Sequence, residues 1–503
     1  MKIITWSKTS LFRIMRKLIA IIVLLISILS IGASAQKQDL FNTSNGSMSV
    51  PPYRIPGIVK TNSGRLLAVV ARLVCGTDPG FGRVDIVYRI SDDNGLTWSE
   101  IKDVAVGSGR TSATQNFFDT AYGDPAVVAD RTSNSVAIIA VAGCTVYPNN
   151  LTNRQNPNMI GIIHSSDNGE TWGDPVDITQ QVYSLFDDGN PIDAAFVGGG
   201  KVFQSRIVKK GEYYRLYAAM CARPNGNRVI YSDDFGHTWN ALGGASALPV
   251  INGDEPKCEE TPDGRVIISS RAPGGRIYNI FTYTNTMDGS GSWATEVKCT
   301  FDGSGKTPGN NSTNGEMLIV PVKRAIDDKK MYLALQSLPT GDRRTNVGIF
   351  YKELAEYSDF NSVENLSVGW DGYYEVSNTE SAYSSMDLQA DNKIGFFYEE
   401  TLTKHGSLPN PISTCFPSGE GTHNYDGFDN IYVSYTLEQI TGGAYSICQK
   451  IDRGMAVKQY FTQQIEISTL SAEQKARAHT AVLALGCDPS AAEIDAINNL
   501  LKQ

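Results

Sequence analysis

An eight-residue pattern, Ser-x-Asp-x-Gly-x-Thr-Trp, occurs complete three times, at Ser91 to Trp98, Ser165 to Trp172 and Ser232 to Trp239, with starts 74 and then 67 residues apart. A worn fourth copy ends at Trp293, where Thr286, Asp288 and Gly291 keep approximate places. Each copy has the chemistry of a tight hairpin turn: the Asp bonds nearby backbone amides, the Gly accepts positive φ, and the Trp folds back over the turn. A motif returning at this period in a strand-rich chain marks a radial repeat. Because it recurs at successive hairpins it belongs to the scaffold, since one active site needs only one copy of each group.

At 503 residues and 41% hydrophobic side chains, the chain can fill a large core, yet it is long for one compact domain unless a propeller or barrel supplies it. From Pro51 to about Glu438 it reads as short strands divided by Gly- and Asp-rich turns, among them Arg65 to Val70, Val84 to Ile90, Lys393 to Tyr398 and Ile431 to Tyr435. No long amphipathic helical window interrupts this span. About 384 residues shared among six four-stranded blades gives roughly 64 per blade, close to the observed repeat, so the expected fold is an all-β, six-bladed β-propeller.

The texture changes after about residue 455. Ser471-Ala-Glu-Gln474 and Ser490-Ala-Ala-Glu493 are two capping boxes, each opening an Ala/Leu-rich window, with Gly486 and Pro489 between them. They predict a short C-terminal helical hairpin. At the other end, Lys17 precedes an apolar run from Leu18 to Ile31 and then Ala33-Ser34-Ala35, the form of a cleavable export signal too short to span a bilayer. Met15-Arg16-Lys17 would make a more usual start than Met1. The expected organisation is a signal peptide over 1–35, a lead-in over 36–50, a propeller over 51–454 and a helical tail over 455–503, in a protein that is exported to the periplasm, the cell surface or the medium.

Without residues 1–35 the balance is 39 basic against 53 acidic residues, net −14, which argues against nucleic acid or an anionic membrane surface as partner. An anionic ligand would need a local Arg cluster. The eight cysteines are scattered, and neither their spacing nor the five histidines suggests a zinc centre or other metal site; disulfides are compatible with export. No cofactor is expected.

Tyr53-Arg54-Ile55-Pro56 begins the first strand after the lead-in. Beside three complete repeats of the turn, or Asp boxes, an Arg-Ile-Pro there resembles the exo-α-sialidase (neuraminidase) family of bacterial and animal type, over roughly Val50 to Gln439. The resemblance implies a propeller that cleaves terminal sialic acids from glycoproteins, glycolipids or oligosaccharides. It also implies roles. Asp78, in the loop Cys75-Gly-Thr-Asp-Pro-Gly-Phe-Gly82, would be the general acid/base, with Asp85 the competing acid, and Arg72 would touch the sugar. Asp124 of Asp124-Pro125 would face the N-acetyl or glycerol side, although an Asp before Pro is equally a turn residue. Glu255 in Asn252-Gly-Asp-Glu-Pro256 would partner the nucleophile, and Arg271 would bind the sugar carboxylate; Glu259 and Glu260 are nearby acids expected to face solvent.

Arg344 of Arg343-Arg344-Thr345-Asn346 would complete an Arg triad, with Arg343 the fallback. Ala382-Tyr383-Ser384-Ser385 is similar to the segment carrying the sialidase nucleophile, Tyr383, and Glu399 of Tyr398-Glu399 would orient Arg54. These residue types suit one substrate class. A sialic acid carries a carboxylate on its anomeric carbon, which guanidiniums bind in a bidentate, charge-assisted way. A carboxylate nucleophile would be repelled there, whereas a Tyr deprotonated by Glu is not. A trans-sialidase or intramolecular trans-sialidase would share every one of these residues, and a non-catalytic glycan-binding propeller would need only the boxes.

Overall fold

The computed structural model describes residues 36–42, 52–75, 78–110, 115–145, 147, 152–224, 226–311, 313–401, 428–448, 451–485 and 489–502. The expected export signal lies outside them, as do Cys415 and Cys487; the other six cysteines are buried. Among the described residues no helix is long and apolar enough to cross a membrane.

Six antiparallel sheets stand in a ring as the blades of a propeller. Blade I consists of Tyr53–Lys60, Leu66–Arg72, Asp85–Ser91 and Lys102–Ala105, counted outward from the centre. The inner strands of blades II, IV, V and VI are Tyr122–Ala129, Pro256–Glu260, Met317–Arg324 and Ser381–Leu388. Blade III has a divided inner strand, Ala194–Val197 and Phe203–Lys210, both pairing with Tyr213–Arg223. Blade VI is completed by the other end of the chain. Its outermost strand is Gln38–Phe41, paired with Asp429–Tyr435, so the stretch expected to lead into the ring in fact closes it.

Strands buried on both faces read as apolar runs such as Leu66-Leu-Ala-Val-Val-Ala71, because each blade packs against a neighbour on either side. The core is accordingly divided into six apolar layers, one at each blade junction. Val69 and Tyr88 meet Val127 and Ile138 between blades I and II, and Leu66 and Val87 meet Phe397 and Tyr432 where VI returns to I.

The eight-residue turns join the third and fourth strands, and their internal bonds repeat. Gly95 N–H donates to Ser91 Oγ at 2.8 Å, and Thr97 N–H to Asp93 Oδ1 at 2.9 Å. The counterparts are Gly169 to Ser165 and Thr171 to Asp167, then Gly236 to Ser232 and Thr238 to Asp234. Each turn also abuts the third strand of the preceding blade. Tyr432, Tyr88 and Tyr231 donate their hydroxyls to the carbonyls of Asn94, Glu170 and Asp288, and His164 Nε2 bonds the Phe235 carbonyl at 3.0 Å. The repeat therefore fastens one blade to the next.

The two expected helices form at Ala472–Leu483 and Ala491–Leu501, capped by Ser471 and Ser490. A further helix, Ile451–Ile467, precedes them, and the three share a small core that includes Phe461, Ile465, Val482 and Ile497. Lys458 Nζ donates to the Pro262 carbonyl at 3.0 Å and lies over the Tyr332 ring. The tail thus packs on the propeller, at the end where inner strands finish.

Candidate active site

The first, inward strands of the blades begin at one face of the ring, and three of them are irregular where they begin. The pairing register slips between Arg54 and Gly57 in blade I, between Gly123 and Ala126 in blade II, and between Ser381 and Ser384 in blade VI. The sequence gives a reason for two of these bulges: Pro56 and Pro125 have no N–H for the ladder. Ile55 and Asp124, the residues before them, have φ of 62° and 47°. A β-branched residue there is strained, and a bulge re-aims the side chain beside it. Arg54, Asp124 and Tyr383 stand at these bulges.

Glu399 anchors two of them. Fully buried, it accepts Arg54 Nε at 2.6 Å, Ile55 N–H at 2.9 Å and Tyr383 N–H at 2.9 Å. One carboxylate therefore orients the guanidinium and binds the backbone of both bulged strands. Arg54 also lies over the rings of Tyr383, 5.7 Å away, and Phe428, 5.0 Å away. Phe428 had no distinguishing signal in the sequence.

The Tyr383 hydroxyl donates to Glu255 Oε1 at 2.7 Å, and Arg271 Nη1 reaches both Glu255 Oε2 at 2.6 Å and the Tyr383 oxygen at 3.3 Å. The order of the chain explains the meeting. Glu255 precedes the inner strand of blade IV, Arg271 nears the end of the antiparallel strand beside it, and the Arg271 N–H returns to the Glu255 carbonyl at 3.0 Å. Asp254, also beside Arg271, was not singled out from sequence. Burial and the Glu255 charge push the Tyr383 phenol well above its usual pKa, with Arg271 and Arg54 opposing. Its neutral form is favoured, hydrogen-bonded to the Glu255 carboxyl group.

Asp124 carries a carboxyl held well above the usual range, first by burial, then by the charges of Asp78 and Glu255, against Arg54. The charge of Asp78 also acts on Arg54, so these groups lie within electrostatic reach of one another. Asp78 is exposed, and the ring of the next residue, Pro79, occupies the space that a Cβ on Gly123 would need. Asp85, the competing acid, is fully buried and receives Arg72, Arg83 and the Gly107 N–H. It pins the two shoulders of the loop that carries Asp78. Arg72 is bonded to Asp85 at 2.7 Å and Asp103 at 2.8 Å, and among the described residues no bond joins it to Tyr383, Glu255 or Arg271.

Arg344 sits in the hairpin of blade V with φ 59°, and its carbonyl receives the Ser381 N–H at 2.6 Å, two residues before Tyr383. Its Nε is buried and unbonded, and among the described residues no carboxylate pairs with it. Arg54 and Arg271 each have a carboxylate; Arg344 keeps an unneutralised guanidinium. Arg343 is exposed.

Glu259 and Glu260 do not face solvent, as expected from their place before a turn, but are buried. They lie on an inner strand, where side chains point into the ring or the next blade. Glu259 pairs with Arg206 at 2.6 Å and receives Ile319 N–H, and Glu260 receives Ser205 Oγ and Arg206 N–H.

The chain is similar to proteins of known name. It is 28% identical over 378 residues to a sialidase of Micromonospora viridifaciens, covering 72% of this chain and 52% of that protein. It is 27% identical over 371 residues to an exo-alpha-sialidase of Arthroderma benhamiae, covering 69% and 78%. The match thus spans about half of the Micromonospora protein. Among solved structures, the Hadza microbial sialidase Hz136 aligns with TM-score 0.56 at 20% identity, covering 80% of this chain and 69% of that one. A leech intramolecular trans-sialidase aligns with TM-score 0.58 at 15% identity, covering 82% and 72%. No family model matches the chain.

Proposed function

We propose that this chain, whose sequence and fold are those of the sialidase family, is a retaining exo-α-sialidase acting on terminal sialic acids of glycoproteins, glycolipids or oligosaccharides. The observation that carries the reading is the Tyr383 hydroxyl bonded to Glu255 at 2.7 Å with Arg271 3.3 Å from the same oxygen. A phenol raised by burial is a poor nucleophile until its proton leaves, and Glu255 is placed to take it. The two guanidiniums beside the ring then stabilise the phenolate as it forms.

In this mechanism Arg54, Arg271 and Arg344 bind the sugar carboxylate. Arg344, with its Nε unbonded and no carboxylate paired with it among the described residues, supplies a free charge. Asp78 protonates the departing glycosidic oxygen, Tyr383 attacks the anomeric carbon, and water deprotonated by Asp78 releases the sugar with retention. Asp124, whose protonated form is favoured by burial and by the charges of Asp78 and Glu255, faces the N-acetyl or glycerol side of the bound sugar. Glu399 orients Arg54. Asp85 acts on the acid through its loop and holds Arg72, which contacts the sugar.

The test is release of free sialic acid from a fluorogenic sialoside, with NMR of the first-formed anomer. Tyr383→Phe should abolish turnover while leaving the affinity for free sialic acid near that of the parent. An inactive parent that still binds sialylated glycans would instead mark a glycan-binding propeller. An intramolecular trans-sialidase, the activity of the leech protein of similar fold, would release an anhydro sugar, and a trans-sialidase would sialylate added lactose. The export pattern in the sequence of residues 1–35 supports activity outside the cytoplasm, and cell fractionation checks this.

A further inference from the structure

The inner strand of blade III is interrupted after Val197, and the residues that interrupt it, Gly198-Gly199-Gly200, cross the centre of the ring. They do so by leaving their own blade. Gly200 and Lys201 pair in parallel with Ala126 and Val127 of blade II before the strand resumes at Phe203. Side chains are excluded along the crossing. A Cβ on Gly198 would strike the Pro256 carbonyl, one on Gly199 would strike Ile55, and one on Gly200, at φ 106°, would strike Lys257. Gly57 is equally constrained, by the Gly200 carbonyl.

The residues touched from below are therefore Asp124 itself and the immediate neighbours of Arg54 and Glu255. The strap is a floor. Beneath it, towards the other end of the inner strands, lies a cavity of about 230 Å³ lined in part by Lys201, Arg206, Glu259, Glu316 and Asp387.

A triglycine segment has no side chains with which to hold itself, so its position depends on bonds to its backbone. The Gly199 carbonyl receives two, from Lys257 Nζ and from Asn314 Nδ2, the latter at 3.1 Å. Both donors are buried and come from different parts of the ring. Lys257 follows Glu255 by two residues, and the Asn314 carbonyl receives the N–H of Ser384, next to Tyr383, at 3.4 Å. Burial pushes the Lys257 ammonium down to about 8, while Glu316, 4.0 Å away, favours its charge. Beyond the strap, Lys201 Nζ bonds Asp387 Oδ1 at 3.1 Å and so ties it to blade VI.

We propose that Lys257 and Asn314 are positioning residues of the site, acting through the Gly199 carbonyl to set the height of the floor and with it the relative placement of Arg54, Asp124, Glu255 and Tyr383. This rests on the sialidase reading above. Neither residue touches the substrate. They act through the floor, which meets the bulged strands where a shift of one carries directly to the groups that bind and attack the sugar.

The test compares the full-length parent with Lys257→Met, Lys257→Gln and Asn314→Ala, measuring kcat and KM on a fluorogenic sialoside at 25 °C, the Kd of free sialic acid, and Tm. The expected result is a loss of about a hundredfold in kcat/KM for Lys257→Met, the size that follows a displacement of about 1 Å in a catalytic constellation. Lys257→Gln, which keeps an N–H able to reach Gly199, should recover most of it, and Asn314→Ala should lose about tenfold. Wild-type kinetics in Lys257→Met would overturn the proposal, as would equal losses in the Met and Gln variants that track Tm. If Lys257→Met does not fold, Asn314→Ala decides, with unchanged kcat/KM counting against the floor. A parent that releases no sialic acid would sink the sialidase reading instead.

Discussion

Replacing Glu399 by Gln tests the anchor of the site with almost no change of shape. The carboxylate is fully buried and accepts three bonds within 2.9 Å, from Arg54 Nε, Ile55 N–H and Tyr383 N–H. Every partner is a donor. An amide must turn its NH2 towards at least one of them, so one bond becomes a donor facing a donor, and the Arg54 charge loses its buried counterion. Truncating one partner of a buried pair costs about 3–5 kcal/mol, and a further ~1–3 kcal/mol attends a buried donor left unsatisfied. Relief of the Ile55 strain, on the order of 1–3 kcal/mol, offsets part of this if the bulge relaxes. The expected destabilisation is therefore about 3–5 kcal/mol, read by denaturant unfolding at constant m-value. Activity should fall further than stability predicts, because Arg54 and Tyr383 lose their common anchor. A cycle with Arg54→Met should show strong coupling, the second change costing little once the first is made. A Glu399→Gln variant within about 0.5 kcal/mol of the parent and fully active would refute the reasoning, since surface substitutions alone are that mild.

Asp78→Ala should lower kcat/KM about 10²- to 10⁴-fold on a sialoside with a sugar aglycone, and much less on one with a phenolic leaving group, which departs without protonation; paired kinetics with the two substrates check this. The repeated turns should make the fold acid-sensitive. Hydrogen bonds from Thr97 hold Asp93 at about 2, and at Asp167 those from Thr171 and Ser165 overcome burial to the same value. A carboxyl depressed in the folded state contributes stability that is fully present above its unfolded value near 4 and is lost as pH falls towards 2. Asp167→Asn should therefore flatten the dependence of Tm on pH between about 4 and 2, and an unchanged slope would exclude that turn as a source.

What could be read from the sequence was what is encoded locally. The eight-residue turns were legible because their bonds, such as Thr97 to Asp93, close within the repeat itself, and the tail helices because Ser471 and Ser490 cap them within four residues. Helix Ile451–Ile467 opens with no such box. The types of the site residues were legible through the family resemblance, yet their placement depends on register slips at Arg54, Asp124 and Tyr383 that involve strands far apart in the chain. Glu259 and Glu260 were misjudged for the same reason. Proximity to a turn suggests solvent, but Arg206, some fifty residues away in sequence, fills the space beside them. The passage of Gly198 through the centre is likewise settled by which blades become neighbours.

The strand Gln38–Phe41 has a consequence for how the molecule is made. Its pairing partner, Asp429–Tyr435, is separated from it by nearly the whole ring, so the last sheet has an open edge until both ends of the propeller exist. Contacts of such sequence separation form late and slowly, and an uncovered edge invites pairing with another chain. During synthesis the earliest residues of the ring must therefore remain unengaged while five blades assemble, and the step that seals the circle is the one most exposed to error at high expression.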